Sequence, residues 1–345
     1  MIRTLSDYVR SIPKEIRKPD ESRSWTGLAR CLTVAVGFQT LAYFLPSLRA
    51  ENILWNLPLH AVLIFLTGLS LVSLFVLAHD CGHRSFSKNP LINDTVGFFL
   101  FIPLLNSFFT WRAAHDFHHR NSQVRRLDPD WAELLSTPEE FDRLPWFEKL
   151  AVRLGPGHAT GILVGFWVGM IKRTFFSILI PQMKLGPKKK FKLYAMNLLS
   201  AALSVLLIVF YLNSFGVEKL FVIYLLPVLV AASAGALLTF LQHSHPGSYA
   251  FNPESYDVVL SQVHSTYNIR YSKFFEYFCL DINIHVPHHI LPSIPWYHLK
   301  AANTSLKTVF PEDINERSFS YQVLRDSWRS TKLKEVRSGV FKLGG

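Results

Sequence analysis

The stretch "LHAVLIFLTGLSLVSLFVLA", residues 59–78, contains no charged side chain, and "HDCGH" follows it directly at 79–83. A helix needs about 20 apolar residues to cross the roughly 30 Å hydrocarbon core of a bilayer. The stretch therefore predicts a membrane-spanning helix that ends in two histidines, His79 and His83. Residues four apart lie on the same face of a helix, so both rings should point to one place.

Three more stretches, 28–48, 193–215 and 220–242, have this length and contain at most one charged residue, Arg30. With 49% hydrophobic residues in 345, the pattern predicts an all-α membrane protein with four transmembrane helices. Two further apolar stretches, 91–111 and 159–181, contain polar or charged residues in their interiors. We expect both to form interfacial or re-entrant helices, which keeps the histidines before and after the first of them on one side of the membrane.

The formal charge of +11 is unevenly distributed: 34 of the 36 Lys and Arg residues lie outside the two short turns between predicted spans. By the positive-inside rule, segments 1–27, 79–192 and 243–345 should all face the cytoplasm, and with them both termini. The sequence predicts one integral-membrane domain over 1–345. This distribution argues against nucleic acid as a partner, and the three scattered cysteines give no disulfide framework.

Two copies of the spacing H-x-x-H-H follow the first histidine pair, at His115, His118 and His119 and again at residues 285–289. Imidazole ligands suit Zn, Cu, Fe and Ni, and eight of them imply two metal ions. The chain has no H-E-x-x-H motif typical of zinc hydrolases. A nitrogen-rich two-iron site beside a membrane suggests oxygen activation on an apolar substrate. Pro287 suits the first turn of a helix, which would place His285 just before that helix.

The segments "HDCGHRSF", "HDFHH" and "DINIHVPHHILPSIPWYHL" resemble the three histidine boxes of the membrane fatty-acid desaturases, over about residues 60–310. The first and third segments are most similar to the acyl-lipid Δ12 (omega-6) enzymes of cyanobacteria and plastids. One departure is Leu280, where those enzymes tend to carry His. The resemblance implies four spans with interfacial or re-entrant helices and a cytoplasmic helical cap that carries a di-iron site.

The resemblance also implies which residues bind the two iron ions, with no catalytic residue beyond the metal ligands. The expected ligands are His79, His83, His115, His118, His119, His243, His285, His288 and His289. Four residues are candidates for a further ligand or for holding a ligand in place: His264, Asp80, Asp116 and Asp281. Carboxylates beside the boxes suit the second role, because ligating histidines usually donate their other N–H to such groups. Three histidines fit no constellation and are predicted to be structural: His60, His158 and His298.

The reaction implied is O2-dependent insertion of a cis double bond into an acyl chain of a membrane lipid, at Δ12 of an 18-carbon monoene. Electrons would come from a separate ferredoxin or cytochrome b5. An omega-3 desaturase, a fatty-acyl hydroxylase and a carotenoid ketolase or hydroxylase remain alternatives, as does a four-span metal-binding or transport protein. An apolar tunnel should admit the acyl chain. Its predicted wall residues are Phe98, Phe101, Leu105 and Phe109.

Overall fold

The computed structural model describes residues 3–48, 51–130, 132, 135–153, 185–329 and 332–344. The described chain is mostly helical. Its helices are α1 Leu5–Ser11, α2 Glu21–Phe44, α3 Ile53–Gly82, α4 Pro90–Phe101, α5 Phe108–Asn121, α6 Pro138–Arg143, α7 Trp146–Arg153, α8 Pro187–Lys219, α9 Leu226–His243, α10 Val258–Gln262, α11 Lys273–Cys279, α12 Val286–Ile290, α13 Leu299–Val309 and α14 Tyr321–Arg329. A π-helical turn, Leu220–Leu225, joins α8 to α9.

Three helical runs in the described chain are long and apolar enough to cross a membrane: α2, α3 and the continuous run Pro187–His243. Helix α2 begins seven residues earlier than the apolar stretch 28–48 suggested, because the side chain of Asp20 caps it by accepting the N–H of Arg23. Aspartate at this position satisfies an amide that would otherwise lack a partner. Helix α3 extends to Gly82, so the first histidine box belongs to its last turn.

The run Pro187–His243 has 57 residues, and its backbone leaves the helical region at Gly216, with φ 79° and ψ 171°. Glycine tolerates this conformation because it has no Cβ. The rings of Tyr211 and Tyr224 stack with centroids 4.8 Å apart. A straight helix would separate the two residues by about 20 Å. The chain therefore reverses direction at Gly216.

The apolar stretch 91–111 forms two helices, α4 and α5, separated by a turn. Helix α4 has 12 residues and is about 18 Å long, too short to cross a bilayer alone. The two helices approach closely at Gly97, where a Cβ would lie 2.3 Å from Cε2 of Phe108. The second such stretch, 159–181, and His158 lie outside the described residues.

The expectation of an all-α fold is wrong in the C-terminal region, whose described residues form five short strands: β1 Tyr249–Phe251, β2 Asn268–Arg270, β3 Glu316–Ser318, β4 Leu333–Arg337 and β5 Val340–Leu343. They form a sheet of order β1-β5-β4 and a parallel pair, β2 with β3. Tyr249 pairs with Lys342, and Asn268 pairs with Glu316. Strands of three to five residues are too short to produce the alternating pattern that identifies a strand in sequence.

Candidate metal centre

The first histidine box sits at the end of α3, where His79 occupies the last turn and His83 is the C-cap residue. Their ring centroids lie 4.6 Å apart, as the four-residue spacing predicts. Helix α5 carries the second box on the face turned toward α3. Nε2 of His79 and Nε2 of His115 lie 3.0 Å apart, and Nε2 of His119 lies 3.2 Å from Nε2 of His115. The two boxes therefore meet at one point.

The third box begins at α12, whose N-cap residue is His285 and whose first turn contains proline. This confirms the helix start predicted from Pro287. Nε2 of His288 lies 3.1 Å from Nε2 of His119, and Nε2 of His289 lies 3.1 Å from that of His285. Box three thus approaches box two across 169 residues of sequence.

The last residue of α9 is His243, which is fully buried. Its ring centroid lies 4.7 Å from that of His289 and 5.1 Å from those of His118 and His285. Neither of its ring nitrogens has a hydrogen-bond partner among the described residues. Of the two histidines in "QHSH", the structure therefore places His243 with the boxes.

Eight of the nine histidines predicted as ligands fall into two groups. In each group the nitrogen atoms that could bind a metal lie within 4.8 Å of one another. The first group is His79, His83, His115, His119 and His288; the second is His118, His243 and His289. His285 lies beside the second group through its contact with His289.

The other histidines among the described residues lie elsewhere. The ring of His264 belongs to neither group. His60 is buried in α3 with Nδ1 beside the carbonyl oxygen of Asn56, and His298 occupies the N-cap position of α13 without a side-chain capping bond. His245 packs on Tyr267 at 4.1 Å, and burial lowers its pKa to about 4.

Two aspartates that the sequence reasoning missed hold histidines of the second box. Nδ1 of His115 donates to Asp130 over 2.8 Å, and Nδ1 of His118 donates to Asp128 over 2.6 Å. A carboxylate accepts only, so each Nδ1 carries the proton and each Nε2 presents a lone pair. The run "LDPDW" just after box two was the available signal, because ligating histidines commonly pair with carboxylates.

The three aspartates singled out in the sequence lie in other positions. Asp80 accepts the backbone N–H of Trp296 over 2.9 Å, while its carboxylate is 3.9 Å from Nδ1 of His79. Asp116 is exposed, and Asp281 pairs with Lys300 at 2.6 Å. The structure therefore joins Asp80 to the segment after box three, and it places Asp116 on the outer face of α5.

Four box histidines outside the long helices have lowered pKa values. Burial, followed by the fields of neighbouring histidines, holds the pKa of these four well below the usual value: His119, His285, His288 and His289. Burial also opposes charging of His118, but the charge of Asp128 and its hydrogen bond outweigh this and raise the pKa of His118. A metal ion binds the neutral imidazole, so low pKa values prepare these rings as ligands at neutral pH.

These groups fit a metal ion better than a network of hydrogen bonds. His115 Nε2, a lone-pair atom once Nδ1 donates to Asp130, faces Nε2 of both His79 and His119. Nε2 of His83 is buried without a hydrogen-bond partner among the described residues. Burying unpaired polar atoms is unfavourable unless something else satisfies them. A cation that accepts several lone pairs does so, and imidazole suits iron.

An aromatic path links the predicted tunnel segment to this centre. Phe101 is fully buried, and its ring lies 5.8 Å from Phe75 and 5.0 Å from Trp111. Trp111 stacks on His115 at 4.7 Å, and Phe75 lies 6.4 Å from His79. Phe98 and Leu105 are also buried in this apolar cluster, with Phe109 packed against it. The segment between the first two boxes therefore packs directly against their histidines.

Long apolar helices and two histidine groups that could hold metal ions fit a membrane protein of the metal-binding class. Residues 54–320 match the fatty acid desaturase family. The chain belongs to that family and is an oxidoreductase.

Named relatives agree over most of the chain. It is 30% identical over 345 residues to the sn-1 oleoyl-lipid 12-desaturase of Synechocystis sp., covering 99% of this chain and 92% of that one. It is 29% identical to the enzyme of the same name from Picosynechococcus sp., over 93% and 87% of the two chains. Identity to the chloroplastic omega-6 fatty acid desaturase of Glycine max is 29%, over 93% and 71%.

Proposed function

We propose that this protein introduces a cis double bond at Δ12 of an 18-carbon monoenoic chain carried by a membrane lipid. The observation that carries the proposal is the convergence of histidines from four separate segments beside the ends of two long apolar helices. Eight of them form two groups, and His285 lies beside the second group. The names of the relatives, oleoyl-lipid 12-desaturase and omega-6 fatty acid desaturase, support the position of the double bond.

In the proposed topology, one domain over 1–345 crosses the membrane four times, through α2, α3 and the two arms on either side of Gly216. Both termini and the metal centre face the cytoplasm. The reversal at Gly216 supports this count, because it divides Pro187–His243 into two lengths that can each span a bilayer. The short α4 supports a re-entrant path between the first two boxes.

The nine histidines would hold two iron ions. When bound, the iron pair activates O2 so that two hydrogens leave an unactivated acyl chain, with two electrons and two protons reducing O2 to two waters. The chain's own residues hold the ligand histidines in the tautomers that can bind metal, and they exclude water. Asp128 and Asp130 fix the protons of His118 and His115 on Nδ1, which leaves on each Nε2 a lone pair that would bind iron. Burial of the second group keeps water away.

The acyl chain would reach the centre along the aromatic path from Phe98 and Phe101 to Trp111. Leu105 and Phe109 complete the proposed wall. Their membership of the cluster that contacts His79 and His115 supports this assignment. Apolar walls favour a hydrocarbon chain because its burial removes apolar surface from water.

A separate carrier protein would supply the electrons, a ferredoxin in preference to a cytochrome b5, because the named relatives are cyanobacterial and chloroplastic. Reconstitution of the purified protein with each carrier compares the two directly. A higher turnover with ferredoxin supports this preference, and a higher turnover with cytochrome b5 contradicts it.

Lipid analysis tests the reaction. We expect that a host making only Δ9 monoenes accumulates linoleoyl chains when it expresses this protein, and does not when it expresses His118→Ala. Double bonds at the omega-3 position, hydroxylated acyl chains or modified carotenoids would instead support the alternative members of the superfamily. Absence of any lipid product, with zinc as the bound metal, would support a metal-binding or transport protein.

A further inference from the structure

Gln262 lies between the two histidine groups. It ends helix α10 and is only 2% exposed. Its side chain reaches box two on one side and box three on the other. The two histidines it touches, His119 and His289, have ring centroids 4.5 Å apart and belong to different groups. The amide therefore lies at the junction of the two groups.

The hydrogen bonds of Gln262 determine how its amide is oriented. Nε2 donates to the backbone carbonyl of His119 over 2.5 Å and to the hydroxyl of Tyr256 over 3.1 Å. A carbonyl oxygen can only accept, so the NH2 end of the amide must face His119. Oε1 consequently faces Nδ1 of His289, at 2.6 Å. Because Oε1 can only accept, Nδ1 of His289 must carry the proton.

This orientation has a consequence for metal binding. A neutral histidine has one protonated nitrogen and one with a lone pair. With the proton on Nδ1, the lone pair of His289 lies on Nε2, the atom that approaches His285. The rings of His243 and His118 lie 4.7 Å and 5.2 Å from that of His289. The amide of Gln262 thus selects the one tautomer of His289 whose Nε2 can bind a metal.

We propose that Gln262 is a positioning residue for the metal centre: it sets the tautomer and ring orientation of His289 and links the two groups through His119. This role rests on the proposed two-iron centre. Gln262 acts on His289 as Asp128 acts on His118, but through a neutral acceptor. One member of the second group is therefore supported by a carboxylate and another by an amide.

Three variants separate this role from a general loss of packing. Gln262→Met keeps the length of the side chain and removes all three of its hydrogen bonds. Gln262→Glu, ionised or protonated, keeps an oxygen toward Nδ1 of His289. Gln242→Met is the matched control, because Gln242 is also buried, at 3% exposure, and donates its side-chain hydrogen bond to the carbonyl of Ile282, which is not a histidine.

The readouts are iron per folded full-length chain and the Mössbauer spectrum of 57Fe-loaded protein. We expect two irons in the wild type, in Gln262→Glu and in Gln242→Met. In Gln262→Met the affinity of one site should fall about 10–100-fold, the usual effect of removing the partner of a ligating histidine. One spectral component should then weaken relative to the other. Should Gln262→Met fail to fold, Gln262→Asn, whose shorter amide cannot reach both partners, takes its place.

Equal iron content and equal spectra in Gln262→Met and Gln242→Met would overturn the positioning role while leaving the two-iron centre intact. Failure of Gln262→Glu to hold more iron than Gln262→Met would also contradict it. A wild type that binds fewer than two irons would overturn the proposed centre itself, and with it this role.

Discussion

The two halves of helix α3 are both apolar but have different surroundings. Near its start, Leu54 and Trp55 expose 82% and 83% of their surface. From Thr67 to Gly82 every residue except Phe75 is buried by other parts of the protein. Lipid would cover the first half, whereas protein surrounds the second. Hydropathy is similar for both, so it predicts a membrane helix without indicating which end carries the site.

Two buried histidines on α3 make this difference clear. His60 lies in the first half, with Nδ1 2.8 Å from the carbonyl oxygen of Asn56 one turn earlier. His79 lies in the second half, with Nε2 3.0 Å from that of His115 and its ring 4.6 Å from that of His288. Neighbours from other segments, and not burial alone, distinguish a candidate ligand from a structural histidine.

The largest difference should be between the alanine variants of these two histidines. We expect His79→Ala to reduce desaturated lipid below detection and to lower iron content, because it removes a nitrogen from the centre of the first group. His60→Ala should keep most activity and all its iron. Product analysis and iron content per folded chain give both readouts. Equal losses in the two variants would contradict the assignment of the metal centre to the second half of α3.

The next effect concerns the carboxylates of box two. Asp128→Asn removes the charge that holds the Nδ1 proton of His118, and we expect iron affinity about 10–100-fold lower. Asp116→Asn, on the exposed face of the same box, is the control and should leave iron affinity unchanged. Titration of metal-depleted protein with Fe²⁺ measures both. A larger loss in Asp116→Asn would contradict the assignment of Asp128 as the supporting carboxylate.

A smaller effect is expected from tightening the packed end of α3. A Cβ at Gly82 would lie 2.8 Å from Cζ3 of Trp111, the ring that stacks on His115. Gly82→Ala should therefore destabilise the protein by about 1–3 kcal/mol through overpacking. Gly37→Ala is the control, since beyond its own helix turn and chain neighbours no described residue has a heavy atom within 4 Å of its Cβ position. Thermal unfolding in detergent compares them, and an unchanged midpoint in Gly82→Ala would contradict the close packing.

Substitutions in the proposed tunnel wall should change iron content least, but they should alter the lipid product. Changing side-chain size at Phe98, Phe101, Leu105 or Phe109 should shift the chain length or double-bond position of the product while iron content stays normal. Trp55→Leu, in the exposed half of α3, should leave the products unchanged. Gas chromatography of total lipids reports the shift. The tunnel assignment would be contradicted if activity fell only in proportion to lost iron or lost folded protein.

Sequence reasoning succeeded where the signal is local. The four-residue spacing of His79 and His83 and the proline before His288 each indicate geometry within one or two helical turns, and the structure has that geometry. The long uncharged stretches likewise identified α2 and α3. Periodicity and residue preference are sufficient for features of this kind.

Other features depend on contacts between distant segments. Asp128 reaches His118 after a turn in which Gln123 and Arg126 adopt positive φ, and such irregular backbone has no periodic pattern. Gln262 lies 27 residues from His289 in sequence. Asp116, in contrast, is adjacent to His115 but lies on the outer face, because neighbouring residues on a helix point in different directions. Nearness in sequence was therefore misleading for the supporting groups.

We propose that nine histidines, beside the buried ends of α3 and α9, hold two irons. Counting iron per chain in purified full-length protein, with the Mössbauer spectrum of the same sample, tests it most directly. We predict two irons per chain in the wild type, a normal count in His60→Ala and a reduced count in His79→Ala. Zinc alone, or at most one iron per chain in fully loaded wild-type protein, would contradict the account.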